Sequence, residues 1–128
     1  MKPTDSELAI LTILWNDGPS TVRHVNEKLN KGRRVGYTNT LKMMQLMLEK
    51  GILSRNESAR SHIYTSSINP ETVKKDFLSH MIDTVFDGKT SNLLVHALGN
   101  YKPTDEELAE IKSIIDKLDN DGNSTANG

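Results

Sequence analysis

Apolar residues recur at helical spacing in six stretches of the chain, and the third is the most informative. Over residues 36–51, at 100° per residue, Thr40, Met43, Met44, Met47 and Leu48 gather on one side, while Thr38, Lys42, Gln45 and Glu49 gather on the other. One side is suited to a core; the other is short, polar and hydrogen-bonding. Upstream, Thr4 and Glu7 form the capping-box pattern that starts a helix, whose body offers Leu8, Leu11, Leu14 and Trp15 to the core until Gly18-Pro19 ends it. Ser20 or Thr21 then caps a shorter helix with Val22, Val25 and Leu29 on one stripe and Arg23, Asn26 and Lys28 exposed. Residues 30–36 make a basic, glycine-punctuated turn into the third helix.

After Gly51 the texture changes. Ile52-Leu53-Ser54-Arg55 and Ser61-His62-Ile63-Tyr64-Thr65 read as two short strands around a polar tip, with Arg60 near its apex and an extended linker, Ser66-Ser67-Ile68, behind them. Three helices followed by a hairpin predict a winged helix-turn-helix. Asn69-Pro70-Glu71 starts a fourth helix, with Val73, Phe77, Met81, Ile82 and Val85 along one stripe, ending near Asp87-Gly88. Ser91 caps a short fifth helix over residues 92–98, which Gly99 terminates. Lys102-Pro-Thr-Asp-Glu-Glu-Leu-Ala109 repeats the capping grammar of Lys2-Pro-Thr-Asp-Ser-Glu-Leu-Ala9 and opens a sixth, with Leu108, Ile111, Ile115 and Leu118 on one seam and Ile114 alongside. These apolar faces exceed what the C-terminal helices can bury in one chain, which predicts a homodimer through Val73, Phe77, Met81, Val85, Leu108, Ile111, Ile115 and Leu118. The expected fold is mainly α with a small β-hairpin: a winged helix over residues 1–66, a helical dimerisation region over 67–118, and a disordered tail over 119–128.

Charge sharpens this division. The formal net charge is only -1, yet residues 1–66 carry ten Lys and Arg against six Asp and Glu, and residues 67–128 carry six against eleven. A basic half followed by an acidic half fits a first half facing a polyanion. The absence of cysteine excludes disulfides, thiolate metal sites and cysteine nucleophiles. With no apolar leader and no long apolar run, a cytoplasmic location is expected. His24, His62, His80 and His96 lie on different elements without metal-ligand spacing, no hydrolase or nucleotide-binding motif occurs, and neither cofactor nor catalysis is expected.

The chemistry that remains is DNA recognition. Thr38, Asn39 and Lys42 occupy the N-terminal, exposed part of the third helix, where a major-groove helix presents its base-reading side chains, and Leu41 and Gln45 flank them. Leu41 either touches a thymine methyl or packs in the core; Glu49 faces solvent. Arg23, Lys28, Lys31, Arg33, Arg34, Tyr37 and Arg60 are the candidate backbone or minor-groove contacts, an assignment that rests on their clustering around one helix. The alternative is a winged helix that binds protein rather than DNA.

Thr40-Leu-Lys-Met-Met-Gln-Leu-Met-Leu-Glu-Lys-Gly-Ile-Leu53, followed by Arg60-Ser-His-Ile-Tyr64 and a helical last third, resembles the BlaI/MecI penicillinase-repressor family over roughly residues 4–118. The resemblance implies a cytoplasmic homodimeric repressor acting on a palindromic operator, in the setting of antibiotic-resistance regulation. It also implies release by a membrane-bound sensor metalloprotease that leads to cleavage between an Asn and a Phe. The matching positions here are His96 and Ala97, so the scissile pair differs; Asn100-Tyr101 is an alternative Asn-aromatic bond nearby. Copper-responsive relatives carry C-terminal cysteines, and this chain has none.

Overall fold

The computed structural model describes residues 2–58 and 60–126, with side chains as far as residue 122. Met1, Ala59 of the expected wing tip and residues 127–128 of the expected tail lie outside the described residues. In chain order the elements are α1 (Asp5–Asp17), α2 (Val22–Leu29), α3 (Tyr37–Glu49), β1 (Leu53–Asn56), β2 (Ile63–Ser66), α4 (Pro70–Val85), α5 (Thr90–Asn100) and α6 (Asp105–Ala126). Two compact units divide the chain, residues 1–80 and 81–128, with the boundary inside α4.

In the first unit the capping box forms: the Thr4 N–H donates to Glu7 Oε1 at 2.9 Å and the Glu7 N–H to Thr4 Oγ1 at 3.2 Å. Gly18, at φ +81°, then turns the chain out of α1 in a conformation that a side chain would strain. The core joins Ile10, Leu11 and Leu14 of α1, Val22 and Val25 of α2, Met44 and Met47 of α3, and Ile52, Leu53 and Tyr64 of the hairpin. The buried stripe of α1 differs from expectation: Glu7 and Ile10 are buried, while Leu8 and Trp15 are half-buried. Contact with α2, α3 and β2 together sets that arc, and Trp15 reaches sideways to donate from Nε1 to Ser66 Oγ at 3.0 Å.

The hairpin pairs antiparallel with Leu53 opposite Ser66 and Asn56 opposite Ile63, so Ser66 belongs to the strand and not the linker. Ser20 adds a third, single-residue rung: its N–H donates to the Tyr64 carbonyl at 3.0 Å and its carbonyl accepts from the Tyr64 N–H at 2.8 Å. The wing is thereby fastened to the α1–α2 connection. Gly51, at φ +81°, reverses the chain from α3 into β1.

At the start of α4, Asn69 Oδ1 accepts from the Glu71 N–H at 2.9 Å. Beyond α4, Asp87 and Gly88 are both left-handed, at φ 59° and 71°, and the Gly88 N–H donates back to the Ile82 carbonyl at 2.9 Å. Three expectations fail in the second unit. The fifth helix begins at Thr90 without a side-chain cap, and Gly99 lies inside it, because Gly99 keeps a negative φ and the helix closes one residue later with Asn100 Nδ2 donating to the His96 carbonyl at 2.8 Å. Residues 119–126, expected as tail, continue α6, since Asn, Asp, Ser and one Gly lower helix propensity without the outright block a proline imposes. The second capping box forms like the first, with Thr104 N–H to Glu107 Oε1 and Glu107 N–H to Thr104 Oγ1 both at 3.1 Å.

Candidate nucleic-acid interface

The polar face of α3 stands clear of the core. Thr38, Asn39, Lys42 and Gln45 are exposed, Thr40, Met44 and Met47 are buried beneath them, and Tyr37 is half-exposed at the helix start. Leu41 is half-buried and packs against the core, and Glu49 is exposed.

Both ends of α3 are anchored by side chains that periodicity did not single out. Gly36 caps the helix without a side-chain hydrogen bond. Instead Asn26 of α2, expected on the surface, turns inward: its Nδ2 donates to the Val35 carbonyl at 3.0 Å and to Thr40 Oγ1 at 2.9 Å. Asn30 grips the same residue from the other side, donating from Nδ2 to the Val35 carbonyl at 2.9 Å and accepting the Val35 N–H on Oδ1 at 3.1 Å. The basic loop is therefore ordered by two asparagines one helical turn apart, a spacing visible in the sequence but not distinctive there. At the other end, Lys50 Nζ donates to Glu7 Oε2 at 2.9 Å. Burial pushes the Glu7 carboxyl up, but the Thr4 backbone N–H and the Lys50 ammonium outweigh it and hold the pKa below the ordinary value.

Cations flank α3 on both sides. Arg33 and Arg34 of the loop share a cleft with Asn39 and Lys42. On the other side Arg23, Tyr37, Leu41, Arg60 and His62 line a cleft between α2, α3 and the wing, in which Glu27 also takes part. Lys31 is exposed on the loop. Lys28 departs from this group: its Nζ lies 3.7 Å from Asp17 Oδ2, the oxygen that His24 Nε2 approaches to 2.7 Å. The His24 hydrogen bond, followed by the Lys28 charge, keeps the Asp17 carboxyl below its ordinary pKa. Arg55, not foreseen, is held on the wing by Glu57 and by Tyr64, whose hydroxyl lies 3.4 Å from Nη1. Its charge is taken up within the hairpin, whereas Arg60 stands exposed.

The sequence profile described as penicillinase repressor matches residues 3–117. The chain belongs to the penicillinase repressor family. That is a family of DNA-binding transcriptional repressors, not of enzymes. Among solved structures, a MarR family protein from Bacillus stearothermophilus is similar over 96% of this repressor-family chain and 77% of its own, at a TM-score of 0.55 and 16% identity, which shows a shared winged-helix fold. A single-site mutant of ZitR from Lactococcus lactis is similar over 94% and 80%, at a TM-score of 0.44 and 20% identity. No curated protein sequence matches the repressor-family chain significantly. Among the described residues, no group of three or more His, Cys, Asp or Glu side chains is placed to hold a metal, and no helix is long and apolar enough to cross a membrane.

Proposed function

We propose that the chain binds operator DNA sequence-specifically as a homodimer, each copy laying α3 in the major groove of one half of a palindromic site and so repressing transcription. The carrying observation is the exposed polar face of α3 with a cationic cleft on either side. Asn39 is suited to adenine and Lys42 to guanine, Thr38 and Gln45 complete the reading edge, and Leu41 is near enough to the surface to meet a thymine methyl. Arg23, Tyr37 and Arg60 take the phosphates on the wing side; Lys31, Arg33 and Arg34 take them on the loop side. Lys28, already beside Asp17, contributes less.

Pairing of two copies is supported by the second unit. None of residues 81–122 is buried within the chain, although Val85, Leu108, Ile115 and Leu118 are large and apolar. Leu94, Val95, Leu98 and Ile114 are exposed beside the expected set, which also keeps Phe77, Met81 and Ile111. Val73 is withdrawn from it: it is 9% exposed and lines a pocket with Pro3 and Leu8 inside the first unit.

Fluorescence anisotropy with the DNA upstream of the chain's own gene tests the reading. A dimer with about six to ten phosphate contacts loses about 10³–10⁵ in affinity between about 50 and 200 mM salt. No affinity, or a flat salt response, would leave protein binding as the use of the winged helix. We propose proteolytic release by a sensor metalloprotease at Asn100-Tyr101, because that bond lies at the very end of α5 and Tyr101 is 78% exposed with an extended backbone, whereas His96 and Ala97 lie a turn inside the helix. Incubation with the cognate protease and sequencing of the fragments checks that bond; a cut elsewhere rejects it.

A further inference from the structure

The cleft between α1, the basic loop and α3 has more to it than a phosphate contact requires. Its volume is about 490 Å³, within the range of small-molecule sites. Ile10 and Met43 form an apolar floor, and Leu46 extends it, leaving 43% of a leucine open to solvent among the exposed polar residues Lys42, Gln45 and Glu49. The rim carries Arg33, Arg34 and Lys42, and no acidic side chain lines the cleft. Among the described residues no salt bridge engages any of these three cations. The rim is also built: Asn26 and Asn30 hold Val35, the residue that follows the two arginines, through both its carbonyl and its N–H.

An apolar floor under a ring of unpaired cations is complementary to one kind of small molecule, an amphipathic anion. We propose that this cleft binds a carboxylate or similar anionic head on a medium-length alkyl or aryl body, the head against Arg33, Arg34 and Lys42 and the body over Met43 and Leu46. Asn39 and Lys42 belong both to this cleft and to the reading edge. Occupancy therefore removes them from the bases, and the ligand is an inducer that competes with the operator. This competition rests on the major-groove placement of α3; binding itself does not. It also supplies a release route in a chain whose residues at the family's scissile positions, His96 and Ala97, differ from the Asn-Phe pair.

Decanoate is the probe, titrated into the full chain by calorimetry and by methyl NMR without DNA. The expected result is one site per chain, shifts at the Met43 and Leu46 methyls, and about tenfold or more weaker binding of neutral decanamide, because charge-assisted hydrogen bonds are lost. Leu46→Glu, at an exposed position, and independently Ala9→Glu, on the α1 wall, each weaken decanoate by about tenfold or more through like-charge repulsion. Shifts confined to the exposed apolar residues of α5 and α6, equal affinity for decanamide, or indifference to both variants overturns the site and leaves the DNA reading untouched. Decanoate is then added to the operator complex, where the apparent Kd rises linearly with free decanoate, doubling at the concentration that half-fills the cleft. Binding at the cleft without loss of operator affinity overturns the competition and, with it, the placement of Asn39 and Lys42 at the bases.

Discussion

At the scale of single residues, the molecule depends on polar side chains whose roles lie in where they point. Asn26 donates two hydrogen bonds that together set the loop and the first turns of α3. Asn26→Ala leaves the Val35 carbonyl with Asn30 alone and costs about 1–3 kcal/mol, with a larger loss of operator affinity than of fold, read by thermal melting beside anisotropy. Glu7 makes a second prediction. Its folded-state pKa lies below the ordinary 4.5, so its contribution to stability is present above that value and is lost as pH falls through the folded pKa. Glu7→Gln lowers stability at neutral pH by about 1–2 kcal/mol and flattens the acid limb of the pH–stability curve below pH 4.5, measured by urea melts across pH. An unchanged acid limb would place the pH dependence elsewhere.

At the scale of elements, capping chemistry was legible and termination was less so. Both Thr-x-x-Glu starts form the same reciprocal bonds, because a capping box is satisfied entirely within four residues. Glycine is ambiguous in a way that local sequence does not resolve. Gly18, Gly51 and Gly88 are left-handed and end or follow helices, while Gly99 is helical with nothing within 4 Å of an added Cβ. Gly99→Ala therefore stabilises the chain by about 0.5–1 kcal/mol, detected as a rise in Tm. A left-handed Gly99 would give the opposite sign. The wing shows the same limit: two strands follow from composition, but the Ser20 rung joins residues far apart in sequence, and no periodicity announces it.

At the scale of the whole molecule, the two halves differ in how they bury themselves. Residues 1–80 close around a core that includes Tyr64 at 1% exposure, while residues 81–122 fully bury none of their leucines, isoleucines and valines. A second copy is the proposed cover. Ile115→Glu with Leu118→Glu, both at exposed positions, converts the dimer to monomer in analytical ultracentrifugation without lowering the melting temperature of the winged helix. Affinity for a two-half-site operator falls, and affinity for a single half-site stays. A variant that remains dimeric would move the interface off the α6 seam.

What the sequence determined alone was the order and type of the elements and the division of α3 into a core face and a polar face, since helical period and capping are local properties carried by neighbouring residues. The family resemblance was equally legible, and the profile match over residues 3–117 agrees with it. Only the tertiary structure decided that Asn26 faces inward, that Glu7 lies buried against Lys50, that Val73 belongs to the first unit, and that Lys28 stands with Asp17. Each of these turns on a partner distant in the chain, as Lys50 is from Glu7 by 43 residues, or on the few degrees by which a helix is rotated in its packing, and a one-dimensional pattern records neither.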